Sequence, residues 1–162
     1  MFSLIISIIS IALVAALAAA TVYFGGAAFN KGSAGADASA FINAGQQIAG
    51  AFTLAAADGY TATTVASLQN ASLGATSAGN DGQVYLSQVP AYKGSNLTTL
   101  ATSSNKSFVS AVVSDQVCRE INDRALGKGA TGPSGIGNVD LFGCVTETVD
   151  GTSTSTAYYK VK

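Results

Sequence analysis

The chain begins with thirty residues that carry no charged side chain. Nearly all of them are apolar, and the first charge is Lys31. A helix rises about 1.5 Å per residue, and about 20 apolar residues cross the hydrocarbon core of a bilayer, so residues 1–30 are long enough to span one. We expect this segment to lie in lipid or among copies of itself.

The apolar segment differs from a secretory signal peptide, although a cleavage site near residues 18–20 would fit one. A signal peptide opens with a positively charged region, which this segment lacks. We therefore expect that a leader has been removed and that Met1 is the mature terminus. The alternative is an unusual mode of membrane entry.

Small side chains repeat along this predicted helix. They are Ser3, Ser7 and Ser10, at i, i+4 and i+7, and Ala12, Ala16 and Ala20, at four-residue intervals. The serines share one helical face, and the alanines allow neighbouring backbones to approach closely. The pattern favours helix bundling. The alternative is a single anchor whose serines bond to carbonyls of their own helix.

A second helical segment, residues 31–57, is expected to continue the first. Glycines at 25, 26, 32 and 35 lower the helix propensity, so the helix is predicted to kink or unwind near residues 25–35. Beyond them, Phe41, Ile48 and Phe52 lie on one stripe, with Gly45 between. This half should cover its apolar face with a globular body formed by residues 58–162.

Composition limits the classes of function that fit. Only 10% of residues are charged and the net charge is −1, so direct nucleic-acid binding is not expected. Histidine is absent and the nine acidic residues are scattered, which argues against an enzyme, a metal site or a cofactor.

The two cysteines, Cys118 and Cys144, are too few for a zinc site without histidine. In an exported domain they would form one disulfide, which the chain-entropy relation values at about 3 to 4 kcal/mol. Two buried free thiols are the alternative.

The remaining patterns predict an α+β fold, in which a long helix packs under a small antiparallel sheet. A helix should begin after an N-cap at Ser114 or Asp115 and end at Gly127, and Asp150–Gly151 favours a hairpin. The other predicted elements are a short helix at 61–69, a turn at 79–82, and strands at 83–89, 107–113, 139–149 and 152–162.

Together these features resemble type IV pilins, most closely the type IVb group that includes the subunits of toxin-coregulated pili and of the thin pili of conjugative plasmids. The resemblance rests on the apolar helix 1–24, on residues 44–50 through 58–60 at the end of the long helix, and on residues 117–122 followed by a second cysteine and a terminal strand.

The resemblance implies roles for individual residues. Cys118 and Cys144 would close a disulfide-bounded region on the filament surface, and the Met1 amine would be methylated by the processing peptidase. Pilins usually carry a glutamate at position 5, where this chain has Ile5. We therefore expect that amine to donate hydrogen bonds instead to the Ser3 and Ser7 hydroxyls, or to free carbonyls in an unwound segment. Filament-core packing is expected of Leu4, Ile5, Ile8, Ile9, Ala12, Leu13, Ala16, Leu17 and Ala20.

The implied function is that of a structural subunit. It would be stored in the inner membrane, handled by pilus assembly machinery, and polymerised as a helical homo-oligomer into an extracellular filament used for attachment, aggregation or mating. The alternatives are a monomeric membrane-anchored periplasmic binding module and a minor pilin or pseudopilin.

Overall fold

The computed structural model of the protein describes residues 2–69, 83–98, 100–103, 105–149 and 151–162. Met1, the turn expected at 79–82 and Asp150 of the expected Asp-Gly turn lie outside the described residues.

The dominant element is one helix, α1, which runs without a break from Phe2 to Ala57. The expected unwinding near residues 25–35 is wrong, because all four glycines there lie inside the helix, and the expected kink stays a prediction. Each costs about 1 kcal/mol relative to alanine but keeps its N–H and C=O for the helical hydrogen bonds, and the intervening residues are mostly good helix formers.

The helix ends where expected, at a glycine with positive φ. Gly59 has φ 79°, the Tyr60 N–H donates to Ala55 O at 2.8 Å, and the Gly59 N–H donates to Ala56 O at 3.1 Å. This pair of bonds is a Schellman motif, which satisfies carbonyls at the helix end and turns the chain back toward the body.

The rest of the described chain forms a small hairpin, a second helix and a four-stranded sheet, which confirms the α+β class. The elements are β1 (Ala91–Tyr92), β2 (Ser95–Asn96), β3 (Leu100–Ser103), β4 (Lys106–Val113), α2 (Asp115–Leu126), β5 (Phe142–Val149) and β6 (Thr152–Lys160). The hairpin pairs β1 with β2, and the sheet has the antiparallel order β3-β4-β6-β5.

Most predicted elements of the head are confirmed, but the strand at 83–89 is wrong. Instead of pairing with a neighbouring strand, the Tyr85 and Leu86 N–H groups both donate to the carbonyl of Leu68. The short helix expected at 61–69 is reduced to a single 3₁₀ turn, Ala66–Leu68.

The core forms between the second half of α1, the sheet and α2. On α1 the buried residues are Ala34, Ala38, Phe41, Ala44, Ile48, Ala51, Phe52 and Ala55. They join a cluster with Val109 of β4, Tyr159 of β6 and Ile121 of α2. The predicted amphipathic stripe is therefore confirmed, and the first half of α1 extends beyond the core.

Candidate assembly surface

The first half of α1 contacts no other part of the described chain closely enough to be buried. Every residue from Phe2 to Asn30 whose side chain is described is exposed, Leu4 at 67% and Phe24 at 72%. The residues predicted to pack in a filament core, Leu4, Ile5, Ile8, Ile9, Ala12, Leu13, Ala16, Leu17 and Ala20, all lie on this segment. We call residues 2–30 the assembly helix.

The assembly helix is long and apolar enough to cross a membrane. Its most apolar 18-residue window has a mean hydropathy of 2.6 and is 0% buried. At about 1.5 Å per residue the segment spans about 43 Å, which matches a bilayer of about 40 to 45 Å including its headgroup layers. Its length and composition therefore fit a membrane anchor.

Three hydroxyl groups on the assembly helix donate hydrogen bonds within the helix. Ser7 Oγ donates to Ser3 O at 3.0 Å, Ser10 Oγ to Ile6 O at 2.8 Å, and Thr21 Oγ1 to Ala18 O at 2.9 Å. These are the local bonds that a serine makes in any apolar helix. The oxygen of Ser7 keeps lone pairs that can accept from a neighbouring chain.

Met1 lies outside the described residues, so the position of its amine stays a prediction, as do its methylation and its hydrogen bonds to Ser3 and Ser7.

A polar contact between α1 and α2 holds the assembly helix to the head just beyond its apolar residues. Arg124 of α2 donates to Gly35 O at 3.0 Å and to Ser39 Oγ at 2.6 Å, and its Nε lies 3.2 Å from Glu120 Oε1. Because one guanidinium reaches two successive turns of α1, the contact resists rotation of the helix against the head.

A second charged contact ties α1 to the small hairpin. Lys93 Nζ lies 2.8 Å from Asp37 Oδ2, and this hydrogen-bonded carboxylate raises the pKa of Lys93. The Lys93 side chain is about half exposed, so the pair is screened by solvent and contributes mainly to orientation.

Close packing at Gly45 fixes the sheet against α1. A Cβ added at Gly45 would lie 2.7 Å from the Tyr159 Cβ, well inside van der Waals contact. Tyr159 itself stacks on Phe142, with ring centroids 6.0 Å apart. Burial raises the pKa of Tyr159, and the Gln46 side chain of α1 partly offsets this rise.

The predicted disulfide between Cys118 and Cys144 is confirmed and links α2 to the edge strand β5. Beside it, Asn122 Nδ2 donates to Cys144 O at 2.9 Å, and the Cys144 N–H donates to Asn122 Oδ1 at 2.8 Å. The Asn122 amide thus takes the place of a neighbouring strand at this position and covers part of the sheet edge.

Sequence reasoning did not identify Arg124, Asn122 or the contact partner of Gly45 as orienting residues. Arg124 and Asn122 occur in a helix rich in polar residues, where nothing in the local pattern separates a solvated side chain from one that bridges to another element. The only available signal was that Gly45 interrupts an apolar stripe.

Comparison of the chain with protein families, curated proteins and solved structures finds no match. The described features, a long apolar N-terminal helix, a small antiparallel sheet and one disulfide, are compatible with a type IV pilin fold.

Proposed function

We propose that this protein is the structural subunit of a type IVb-like pilus and polymerises through its assembly helix into a helical surface filament. The observation that carries the proposal is the contrast within α1. Residues after Ala34 bury one face against the head, whereas residues 2–30 leave every face exposed. Such a helix needs an apolar surrounding, which lipid supplies before assembly and sister chains supply afterwards.

The energetics favour burial of this segment over exposure to water. Burying one Leu, Ile or Phe side chain stabilises by about 1.5 to 3 kcal/mol, and the assembly helix exposes more than a dozen large apolar side chains. Monomeric soluble proteins rarely expose an apolar surface of this extent.

The arrangement of side chains supports a protein surrounding as the final state. In lipid, helices associate through close packing rather than through a hydrophobic driving force, and small residues permit that packing. Ala12, Ala16 and Ala20 repeat at four-residue spacing along the exposed helix. Large neighbours such as Leu13 and Leu17 would pack into the spaces beside them on adjacent chains.

In this proposal the subunit waits in the inner membrane, is extracted by pilus assembly machinery, and ends in an extracellular filament with its head on the outside. Methylation of the Met1 amine and its hydrogen bonds to Ser3 and Ser7 of a neighbour belong to the same proposal. The chain carries no catalytic role in it.

Electron microscopy of sheared cell-surface material tests the proposal. Cells that produce the chain with its assembly machinery should yield thin fibres whose main component, by mass spectrometry, is this protein. Fibres that contain it only in trace amounts would assign it instead as a minor pilin or pseudopilin. Absence of fibres, with all of the chain in the membrane fraction, would favour the anchored binding module.

A pair of substitutions at Ala16 separates packing from anchoring. Ala16→Phe fills the space needed for close approach and should abolish fibres while the monomer stays in the membrane. Ala16→Ser keeps a small side chain and should retain them. Unchanged fibres from the Phe variant would contradict the role given to the alanine repeat.

A further inference from the structure

A groove of about 440 Å³ lies between α1 and α2, at the level where the assembly helix ends. From α1 it is lined by Asn30 and Lys31, and from α2 by Gln116, Arg119, Glu120 and Asp123. Ala34 completes the lining, and the groove is open to solvent and bordered by polar and charged side chains, unlike the surface of residues 2–30.

The acidic residues of the groove already have partners. Glu120 Oε1 accepts from Arg124 Nε at 3.2 Å, and Asp123 Oδ1 accepts from the Gly129 N–H at 2.9 Å. Lys31 and Arg119 are exposed, and within the described part of the chain neither forms an ion pair. With Glu120 paired to Arg124, the groove carries the two positive charges of Lys31 and Arg119 against the one carboxylate charge of Asp123, which leaves a net positive charge of one.

The level of Lys31 and Arg119 relative to the assembly helix indicates which kind of anion they would contact. Lys31 directly follows residues 2–30, which match the thickness of a bilayer with its headgroups. When the assembly helix spans a membrane, Lys31 reaches the layer of lipid phosphates. Arg119 lines the same groove as Lys31, and the bonds from Arg124 to Gly35 and Ser39 hold α2 beside α1.

We propose that this groove binds the phosphate of an anionic phospholipid, of the phosphatidylglycerol class, while the subunit is in the membrane. The Arg119 guanidinium can offer two parallel N–H donors to phosphate oxygens, and Lys31 adds a compact charge. The inference uses the membrane-embedded stage of the proposed function and is independent of polymerisation.

Native mass spectrometry of the full-length protein in mild detergent tests this site. Phosphatidylglycerol or phosphatidylcholine of equal chain length is titrated, and the lipids retained per monomer are counted. We expect the wild type to retain one phosphatidylglycerol in preference to phosphatidylcholine. The double variant Lys31→Gln, Arg119→Gln should bind phosphatidylglycerol about 25-fold more weakly, because loss of each cation should lower the affinity about fivefold.

Lys162→Gln is the matched control. Lys162 is exposed and lies beside Phe52 and Ala56, at the far end of the buried half of α1, so its loss should leave lipid retention unchanged. Circular dichroism of each variant checks that the fold is kept, which the exposure of all three side chains leads us to expect.

Three results would overturn the site. The first is equal retention of the two lipids by the wild type, and the second is equal retention of phosphatidylglycerol by the wild type and the double variant. The third is displacement of the lipid by an equal concentration of inorganic phosphate, which would indicate a site for free anions. Fibre formation is scored separately on the same strains, so failure of the lipid site and failure of the pilus proposal give different results.

Discussion

At Gly45 the backbone of α1 lies directly against the Tyr159 side chain, and this contact makes a sharp prediction. Gly45→Ala would place a methyl group inside the ring's contact distance, and Tyr159 is held in turn by Phe142. We expect the free energy of unfolding to fall by about 1 to 3 kcal/mol through overpacking. Urea denaturation of the full-length protein in detergent, followed by circular dichroism, measures it.

Gly50→Ala is the control on the same helix. Nothing lies within 4 Å of a Cβ at Gly50, so alanine should stabilise α1 by about 0.5 to 1 kcal/mol. Equal effects at the two positions would contradict the packing described at Tyr159.

Alkaline pH should weaken the head through its raised pKa values. Burial raises the pKa of Tyr92, Tyr158 and Tyr159, and the bond to Asp37 raises that of Lys93. When a group has a higher pKa in the folded state than in the unfolded state, its contribution to stability is fully present at a pH below the unfolded-state pKa. That contribution is lost as the pH rises through the folded-state pKa. The free energy of unfolding should therefore decline above about pH 10.

Tyr159→Phe isolates one contribution to this decline. The variant keeps the ring that stacks on Phe142 but has no ionisable group, so its stability should fall less steeply above pH 10 than that of the wild type. Urea denaturation at pH 8 and in the alkaline range gives both slopes. An equal decline in the two proteins would show that ionisation of Tyr159 does not oppose folding.

Among the elements, α2 and β5 are joined covalently by Cys118 and Cys144, which are 26 residues apart in sequence. Reduction should lower the free energy of unfolding by about 3 to 4 kcal/mol, because the unfolded chain regains the entropy of the open loop. Denaturation with and without reductant measures this change.

The double variant Cys118→Ala, Cys144→Ala should unfold with the same free energy in both conditions. If reductant also left the free energy of unfolding of the wild type unchanged, the disulfide would not constrain the unfolded chain as expected.

Elements with strong local signals could be predicted from the sequence. Ser114 accepts from the Val117 N–H as the N-cap of α2, and Gly127 ends the helix with φ 98°, as both residue types indicate. Strands β4 and β6 also fall close to their predicted ranges. In these cases residues within a few positions determine the local structure.

Elements that depend on distant partners could not be predicted. The alternation at 83–89 is typical of a strand, yet its N–H groups bond to Leu68 rather than to a sheet. The β1-β2 hairpin turns through Lys93 and Gly94, with φ 48° and 79°, and lysine gives none of the signal of an Asn-Gly or Asp-Gly turn. A distant partner decided the first outcome, and the second turn has a residue type that carries no signal.

For the molecule as a whole, the sequence could predict which half of α1 packs on the head, because apolar periodicity distinguishes one buried face from an apolar surface on all sides. It could not predict that the helix passes residues 25–35 unbroken, since glycine propensity alone favours an interruption there. The helix therefore joins the assembly helix to the head without an intervening loop. Any contact made by the first half therefore also sets the position of the head.

The most direct test of this account is whether the assembly helix contacts sister chains in cells. Phe24, which is 72% exposed, is replaced by the photo-crosslinking residue benzoylphenylalanine, a change from one aromatic ring to a larger one. Illumination of cells with the assembly machinery should give a ladder of covalent multimers of this chain, and the ladder should be lost when Ala16→Phe is added. Crosslinks to lipid alone, with the chain remaining monomeric, would contradict assembly and leave residues 2–30 as a membrane anchor.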